Sequence, residues 1–408
     1  MDTSVEAALT RVQGLLRKGH TESEQTVVWL APPGRKDERA LGLSRQEDDA
    51  LSDLEWSLNQ DPRFDHLKGK PHDVAVGFLF ECDDYPTRDN APAFLAAHAK
   101  SLETAVCYIP VEYLSVPNET TVYGVRLLPP TDASVPKPSG RYTLQPPVGS
   151  VAAIDVAGTD YGRMADRGRL TVEQALRRLR IALREHRGIN DLQLRFRLGD
   201  AYSFGDGRSG WKASPETSYA LGLDPDLVAL AAAQPMAALS AEPRSKLDHQ
   251  VDLAIRWIER AMFTGEPLVS LLYLFFALEA LLGDKSAKLK GHDLALRQMM
   301  LSHVVDGGFT NPNETFFLYD AVRSAAVHGE RAPDVDQDTV SSFAWLVRRT
   351  LNQYVTYARQ KEFQRRSRLL KDLDEHADRA FCLDWLKANG GPAWDVYLEE
   401  AGAIGDAS

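Results

Sequence analysis

The run from Leu268 to Leu278, inside PLVSLLYLFFALEALLGD, constrains this chain more than any other stretch. It is the longest mainly apolar run in the chain. It stops at Glu279 and is too short to cross a bilayer, so it reads as a buried helix. The sequence that would cover it is close by. From Leu247 onward the pattern is nearly all helical. It runs through Val251–Gly283, Leu294–Val305, the stretch ending at Gly329, and SSFAWLVRRTLNQYVTYARQ. The spacing predicts an all-α helical bundle over residues 247–371, followed by a C-terminal helical extension and frayed tail over 372–408.

The first 240 residues read differently. Thr26–Ala31, Asp73–Glu81, Thr104–Leu114, Thr121–Leu128, Ser150–Ala157 and Asp191–Leu198 are rich in β-branched and aromatic residues with partial alternation. Pro117-Asn118 marks a hairpin turn between two of them. One helix is expected over Thr171–His186, opened by a Thr171/Gln174 capping box and stopped at Gly188. Its arginines, Arg177, Arg178, Arg180, Arg184 and Arg187, read as a solvated face. Pro129–Pro147 reads as a surface loop or linker. The expected fold class is therefore an α+β N-terminal domain, with a mixed or antiparallel sheet and few helices, followed by an all-α bundle. The boundary falls in Ala231–Lys246, where small residues and prolines give way to long helical patterns.

Composition narrows the functional classes. Of 408 residues, 44% are hydrophobic and 26% charged, which fits a globular protein with a core. The N-terminus lacks a cationic start followed by an apolar core, so no secretory signal is expected and the chain is read as cytoplasmic. Cys82, Cys107 and Cys382 form no CxxC pair, and the ten histidines show no ligand spacing, so neither metal nor cofactor is expected. A net charge of −11 argues against indiscriminate nucleic-acid binding over the whole surface. A local patch remains: eight basic residues and one acidic one, Glu362, lie between Arg348 and Lys371, with Tyr354, Tyr357 and Phe363 interleaved. That mixture suits stacking on unpaired bases, or else a solvated helix face with its aromatics turned inward. Gly205-Asp-Gly207-Arg-Ser-Gly210 matches GxGxxG, but no long helical pattern follows, so it reads as a loop.

The candidate chemistry lies in Leu318-Tyr-Asp-Ala-Val-Arg-Ser-Ala-Ala-Val-His-Gly329. Arg323 offers a planar fork for phosphate and His328 a proton near neutral pH. Asn311 is placed to cap this helix, with Pro312 at its first position and Gly329 as its stop. Five positions along an ideal helix separate two side chains by about 140°. The pair therefore shares a face only if the backbone turns near His328, or if two copies meet across a twofold axis. Glu279, in an otherwise apolar helix, needs a partner; Arg323 or a lysine near Lys288 is expected.

The order of these pieces resembles the Apea-like branch of the HEPN superfamily. The matching residues are the ALEALLGD segment and then Tyr319-x-x-x-Arg323-Ser-x-x-Val-His328-Gly329, the shorter form of the family's Arg-x4–6-His motif. The resemblance spans about Leu247 to Lys371. It implies a homodimer with a composite cleft and metal-independent endoribonuclease activity through Arg323 and His328. It further suggests a role in prokaryotic antiviral defence or as a toxin. Ser324 and Glu279 would support the site. Lys285, Lys288, Lys290, Arg348, Arg349, Arg359 and Lys361 would bind the RNA. The N-terminal domain would gate activity, with a protein or phage-derived trigger as its partner, and no membrane is involved. Many catalytic members carry Asn, Asp or His where this chain has Ser324. The alternatives are a non-catalytic HEPN module binding RNA or a protein partner, or an unrelated helical interaction domain.

Overall fold

The computed structural model describes residues 5–16, 28–30, 41–43, 45–66, 75, 99–136, 148–184, 186, 189–199, 202–204, 221–239, 245–284, 290–328 and 335–399. The chain is α+β in its N-terminal part and helical thereafter. It forms two compact units: Met1–Tyr108 with Ile154–Arg169 and Tyr202–Gly210, and Ile109–Ala153 with Leu170–Ala201 and Trp211–Ser408.

In the first unit, α1 (Val5–Leu16) packs on α2 (Arg45–Gln60). Val5, Ala8, Leu9 and Val12 on one helix, and Ala50, Leu51, Leu54 and Leu58 on the other, are buried. On α1 these are the i, i+3, i+4, i+7 positions of an apolar stripe, and on α2 the spacing i, i+1, i+4, i+8 also follows one helical face. Arg11 donates to Asp53 at 2.6 Å beside this seam. A two-stranded antiparallel ribbon joins β1 (Val28–Leu30) to β2 (Leu41–Leu43).

The second unit holds most of the sheet. β5 (Thr120–Val122) and β6 (Val125–Leu128) form a hairpin closed by Tyr123 and Gly124 at φ of 49° and 80°. Two successive positive φ values define the tight turn whose twist matches paired strands. The hairpin therefore lies at Tyr123-Gly124 and not at Pro117-Asn118. β6 continues antiparallel onto β7 (Val148–Gly158), with Leu127 opposite Ala152. β3 (Glu103–Glu112) pairs antiparallel with β8 (Arg197–Leu198). In the first unit it pairs with β9 (Ser203–Phe204). β4 (Leu114–Ser115) takes β10 (Leu221–Gly222) in parallel. Of the strand expected over Asp191–Leu198, only Arg197–Leu198 is extended; Asp191–Leu194 forms turns. Residues 73–81 (apart from Ala75), 137–147 and 205–210 lie outside the described residues.

The long helix α3 (Tyr161–Leu183) starts ten residues before its expected cap. Asp160 opens it, its carboxylate accepting from the Arg163 amide at 2.9 Å. Thr171 and Gln174 sit buried in its interior. Arg177, Arg178 and Arg180 do not form the solvated face expected, and Arg187 lies outside the described residues. Arg178 and Arg180 are buried, and Arg177 and Arg180 both pair with Glu259. Arg180 also donates to the Phe196 carbonyl. A guanidinium so enclosed is tolerable only when paired and hydrogen-bonded.

After α4 (Pro225–Ala232) and a 3-10 turn (Pro235–Ala238) come α5 (Lys246–Phe263), α6 (Pro267–Leu282) and α7 (Lys290–Asp306). α8 (Pro312–Phe317), a π-helical turn (Leu318–Ser324), α9 (Ala325–His328) and α10 (Gln337–Gln360) follow. α11 (Arg366–Asp374) and α12 (Arg379–Asn389) complete the set. α6 is the central helix, touching α5, α7, α10 and α11. Leu271, Leu274, Phe275, Ala277, Leu278, Leu281 and Leu282 on it are fully buried. Each such leucine or phenylalanine contributes roughly 1.5–3 kcal/mol. α5 is started by a reciprocal capping box, Ser245 with Asp248.

A short polar chain crosses this apolar interior. Thr315 donates to Gln298 at 2.6 Å, Gln298 to Thr350 at 2.7 Å, and Thr350 to the Leu346 carbonyl at 2.9 Å. It joins α8, α7 and α10, and no one of its groups lacks a partner. The C-terminal extension is anchored too. Trp394 is fully buried and donates from its indole nitrogen to Asn313 at 2.7 Å, and Tyr397 donates to Asp293 at 2.9 Å.

Candidate functional site

The motif helix is built from its start. Asn311 accepts from the Asn313 amide at 3.1 Å, and Pro312 occupies the first turn. The polar chain through Thr315 then sets the register of α8 on α7 and α10. At Leu318 the backbone changes to π-helical spacing through Ser324. Such one-turn π segments recur at functional sites because the extra residue re-aims the side chains around it. Here Leu318, Tyr319 and Val322 turn into the core, and Arg323 lies in the same turn.

Arg323 is turned toward α6. Its guanidinium lies 2.8 Å from the Glu279 carboxylate and 5.0 Å from the centre of the Tyr319 ring. Its side chain is 18% exposed. The Nε is buried and bonds nothing among the described residues. Tyr319 is itself wedged edge-on against Phe275 at 5.4 Å. Burial pushes its phenol up from the usual range, and the adjacent Glu279 adds to this while Arg323 opposes it. Of the two partners expected for Glu279, Arg323 lies against it, and Lys288 falls outside the described residues.

His328 ends α9 and is exposed, without a hydrogen bond or ion pair to any described residue. The two motif side chains therefore diverge within one chain, Arg323 inward and His328 outward. Ser324 is half-buried between them. Two large apolar residues on the same stretch, Phe317 and Val327, are exposed.

Behind Glu279 lies a cavity of about 550 Å³, walled by Trp257, Phe276 and Tyr319, with Glu279, Asp284 and Asp293 on its polar side. Two guanidinium groups also line it. Arg366 donates to the Glu279 and Ala280 carbonyls, and Arg297 to the Leu282 carbonyl and Asp374. These bonds satisfy the C-terminal carbonyls of α6, which a helix leaves without internal donors. Carboxylates predominate among the groups not so engaged, so this wall does not favour a phosphate.

The residues expected to bind RNA are dispersed. Lys285 and Lys288 lie outside the described residues, as does the side chain of Lys290. On α10, Arg349 pairs with Asp306 at 2.9 Å, and Arg359 donates to the Ala238 carbonyl. Lys361 is exposed, 5.9 Å from the Tyr357 ring centre. Arg348 is half-buried. Tyr354 and Tyr357 are fully buried, so they pack the core and are not free to stack on bases. The sequence reading missed the π turn, the arginine caps on α6 and the role of Tyr319 beneath Arg323; the i, i+4 spacing of Tyr319 and Arg323 was the one available clue to the last.

No protein-family model matches the chain, and searches of curated proteins and of solved structures find no match either.

Proposed function

We propose that this chain is a HEPN-type, metal-independent endoribonuclease acting as a twofold dimer in the cytoplasm, in prokaryotic antiviral defence or a toxin-like role. The observation that carries the reading is the state of Arg323. It is held in place by Glu279 and Tyr319, with a buried Nε still unspent, five residues before an exposed histidine at a helix end. Exposed Phe317 and Val327 beside the motif supply apolar surface that a second copy would cover. In the composite cleft, the ribose 2′-OH attacks its own phosphate, the P–O5′ bond breaks, and a 2′,3′-cyclic phosphate and a 5′-OH form. His328 moves the proton, an effect commonly worth 10²–10⁴-fold. Arg323 stabilises the charge that builds on the phosphoryl oxygens. The N-terminal part gates the reaction in response to a protein or phage-derived trigger.

The test is cleavage of RNA by the purified full chain in EDTA, beside H328A and R323A, with the 3′ ends analysed. Cyclic phosphate ends from the parent alone support the reading; cleavage surviving in both variants removes the site assignment. A second reading, a non-catalytic module binding RNA or a protein, is favoured by the hold of Glu279 on Arg323. A guanidinium already neutralised by a carboxylate has less charge to offer a phosphate.

A further inference from the structure

The cavity of about 550 Å³ behind Glu279 is of a size that takes a small organic molecule. Leu253, Trp257, Phe276, Leu294 and Tyr319 form its apolar wall. The rings are braced before any ligand arrives. Trp257 stacks on Tyr273 at 5.5 Å and meets Phe276 edge-on at 5.1 Å, and Tyr319 meets Phe275 edge-on at 5.4 Å. A wall fixed in advance loses little freedom on binding. Trp257 and Tyr319 already hold guanidinium groups, those of Arg260 at 4.7 Å and Arg323 at 5.0 Å. These two rings therefore offer packing surface, and charge recognition falls to the carboxylates.

The charges on the wall do not cancel. Two pairs do: Glu279 with Arg323, and Arg297 with Asp374, which it meets at 2.6 and 3.0 Å. Asp284 and Asp293 then stand against Arg366, whose guanidinium is turned on the Glu279 and Ala280 carbonyls. Asp284 lies 3.9 Å from Arg297 with its side chain 41% exposed, so a ligand can reach its carboxylate. Asp293 is half-buried and accepts one hydrogen bond, from Tyr397, with no ion pair to any described residue. Burial pushes its carboxyl up from the usual range, against the Tyr397 bond and Arg297. A carboxylate so placed is short of positive charge, and a cationic N–H donor would supply it. A metal ion does not fit, since no three carboxylate, imidazole or thiol groups converge for one among the described residues.

We propose that this cavity binds a small primary amine with an apolar body. Asp293 and Asp284 take the ammonium group, and the body packs on Trp257, Phe276 and Tyr319. An ammonium carries three N–H donors and no acceptor, which is the complement of a carboxylate, and the charge strengthens each bond. An uncharged molecule of the same shape keeps the packing and loses that charge-assisted bond. An anion of the same shape meets two carboxylates. The inference stands apart from the cleavage reading, since it needs neither His328 nor a phosphate held by Arg323.

The test is isothermal titration calorimetry on the full chain with three probes of similar shape. Tryptamine carries the ammonium, indole-3-ethanol replaces it with a hydroxyl, and indole-3-propionate carries a carboxylate. Tryptamine is expected to bind about tenfold more tightly than the alcohol, and the propionate most weakly of the three. D293N keeps an acceptor for Tyr397 and removes the charge, and D284N removes a charge at an exposed position. Each should shrink the preference for tryptamine over the alcohol and leave the affinity for the alcohol unchanged. D384N, a change on the surface of α12, should alter neither value. No binding of tryptamine at millimolar concentration, or propionate bound as tightly as tryptamine, overturns the proposal. An amine preference that survives undiminished in both D293N and D284N overturns the placement.

Discussion

Arg323 and Glu279 lie 2.8 Å apart, one from the π turn and one from the central apolar helix, and the Tyr319 ring lies beside the guanidinium. The pair ties the motif to the core. Removing the carboxylate in E279A leaves a guanidinium, about four-fifths enclosed, without its counter-ion. The expected loss is about 1–3 kcal/mol in urea denaturation. The double variant R323A/E279A should cost less than the sum of the two single changes, because the groups act as one unit. Additive costs would mean that the pair contributes no coupling.

The Thr315–Gln298–Thr350 chain gives a second expectation. T315V keeps the shape and removes the one donor to the Gln298 carbonyl oxygen, which then has no partner in a fully buried site. The loss should be about 1–3 kcal/mol. Replacing both ends of that bond, as T315V/Q298L, should be milder than two independent losses, because no orphaned acceptor remains. Thermal or urea unfolding of the three proteins checks the order.

What could be read in the sequence was local or compositional. The run at Leu268–Leu278 announced a buried helix because it is mainly apolar and too short to cross a bilayer. Glu279 announced a partner because a lone carboxylate in such a helix is costly. The π turn was not legible: a phase slip leaves no residue pattern, and it is set by Leu318, Tyr319 and Val322 finding the core together. The arginines of α3 were misread for a related reason. Their partner Glu259 is distant in sequence, and a charge run gives no sign of an enclosed counter-ion. Thr171 and Gln174 have capping-box spacing, yet Asp160 starts the helix earlier and leaves them in its interior.

Gly291 fixes how closely α7 approaches the motif. A β-carbon there would meet the Tyr319 ring at 2.9 Å and Phe316 at 3.6 Å. Alanine raises helix propensity by about 1 kcal/mol over glycine, but overpacking against a wedged ring costs about 1–3 kcal/mol. G291A should therefore lower the melting temperature and, by shifting Tyr319, loosen Arg323 from Glu279. In that variant the coupling between residues 323 and 279 should shrink. A rise in melting temperature would mean that the ring has room to retreat.

His249 in α5 gives a pH dependence with a definite sign. Burial holds its ring below the ordinary value of 6.5, with Arg256 adding to the effect and Asp252 and Asp248 opposing it. A depressed value means that the folded protein resists taking up the proton that the unfolded chain accepts. As pH falls below about 6.5, the unfolded state binds more protons and stability declines; above that window the ring is neutral in both states and its contribution is flat. Replacing His249 by glutamine removes this proton uptake. Denaturation midpoints measured from about pH 8 to about pH 5 should fall more steeply for the parent than for H249Q. Parallel curves would show that acid sensitivity arises elsewhere, in the carboxylates paired with arginine.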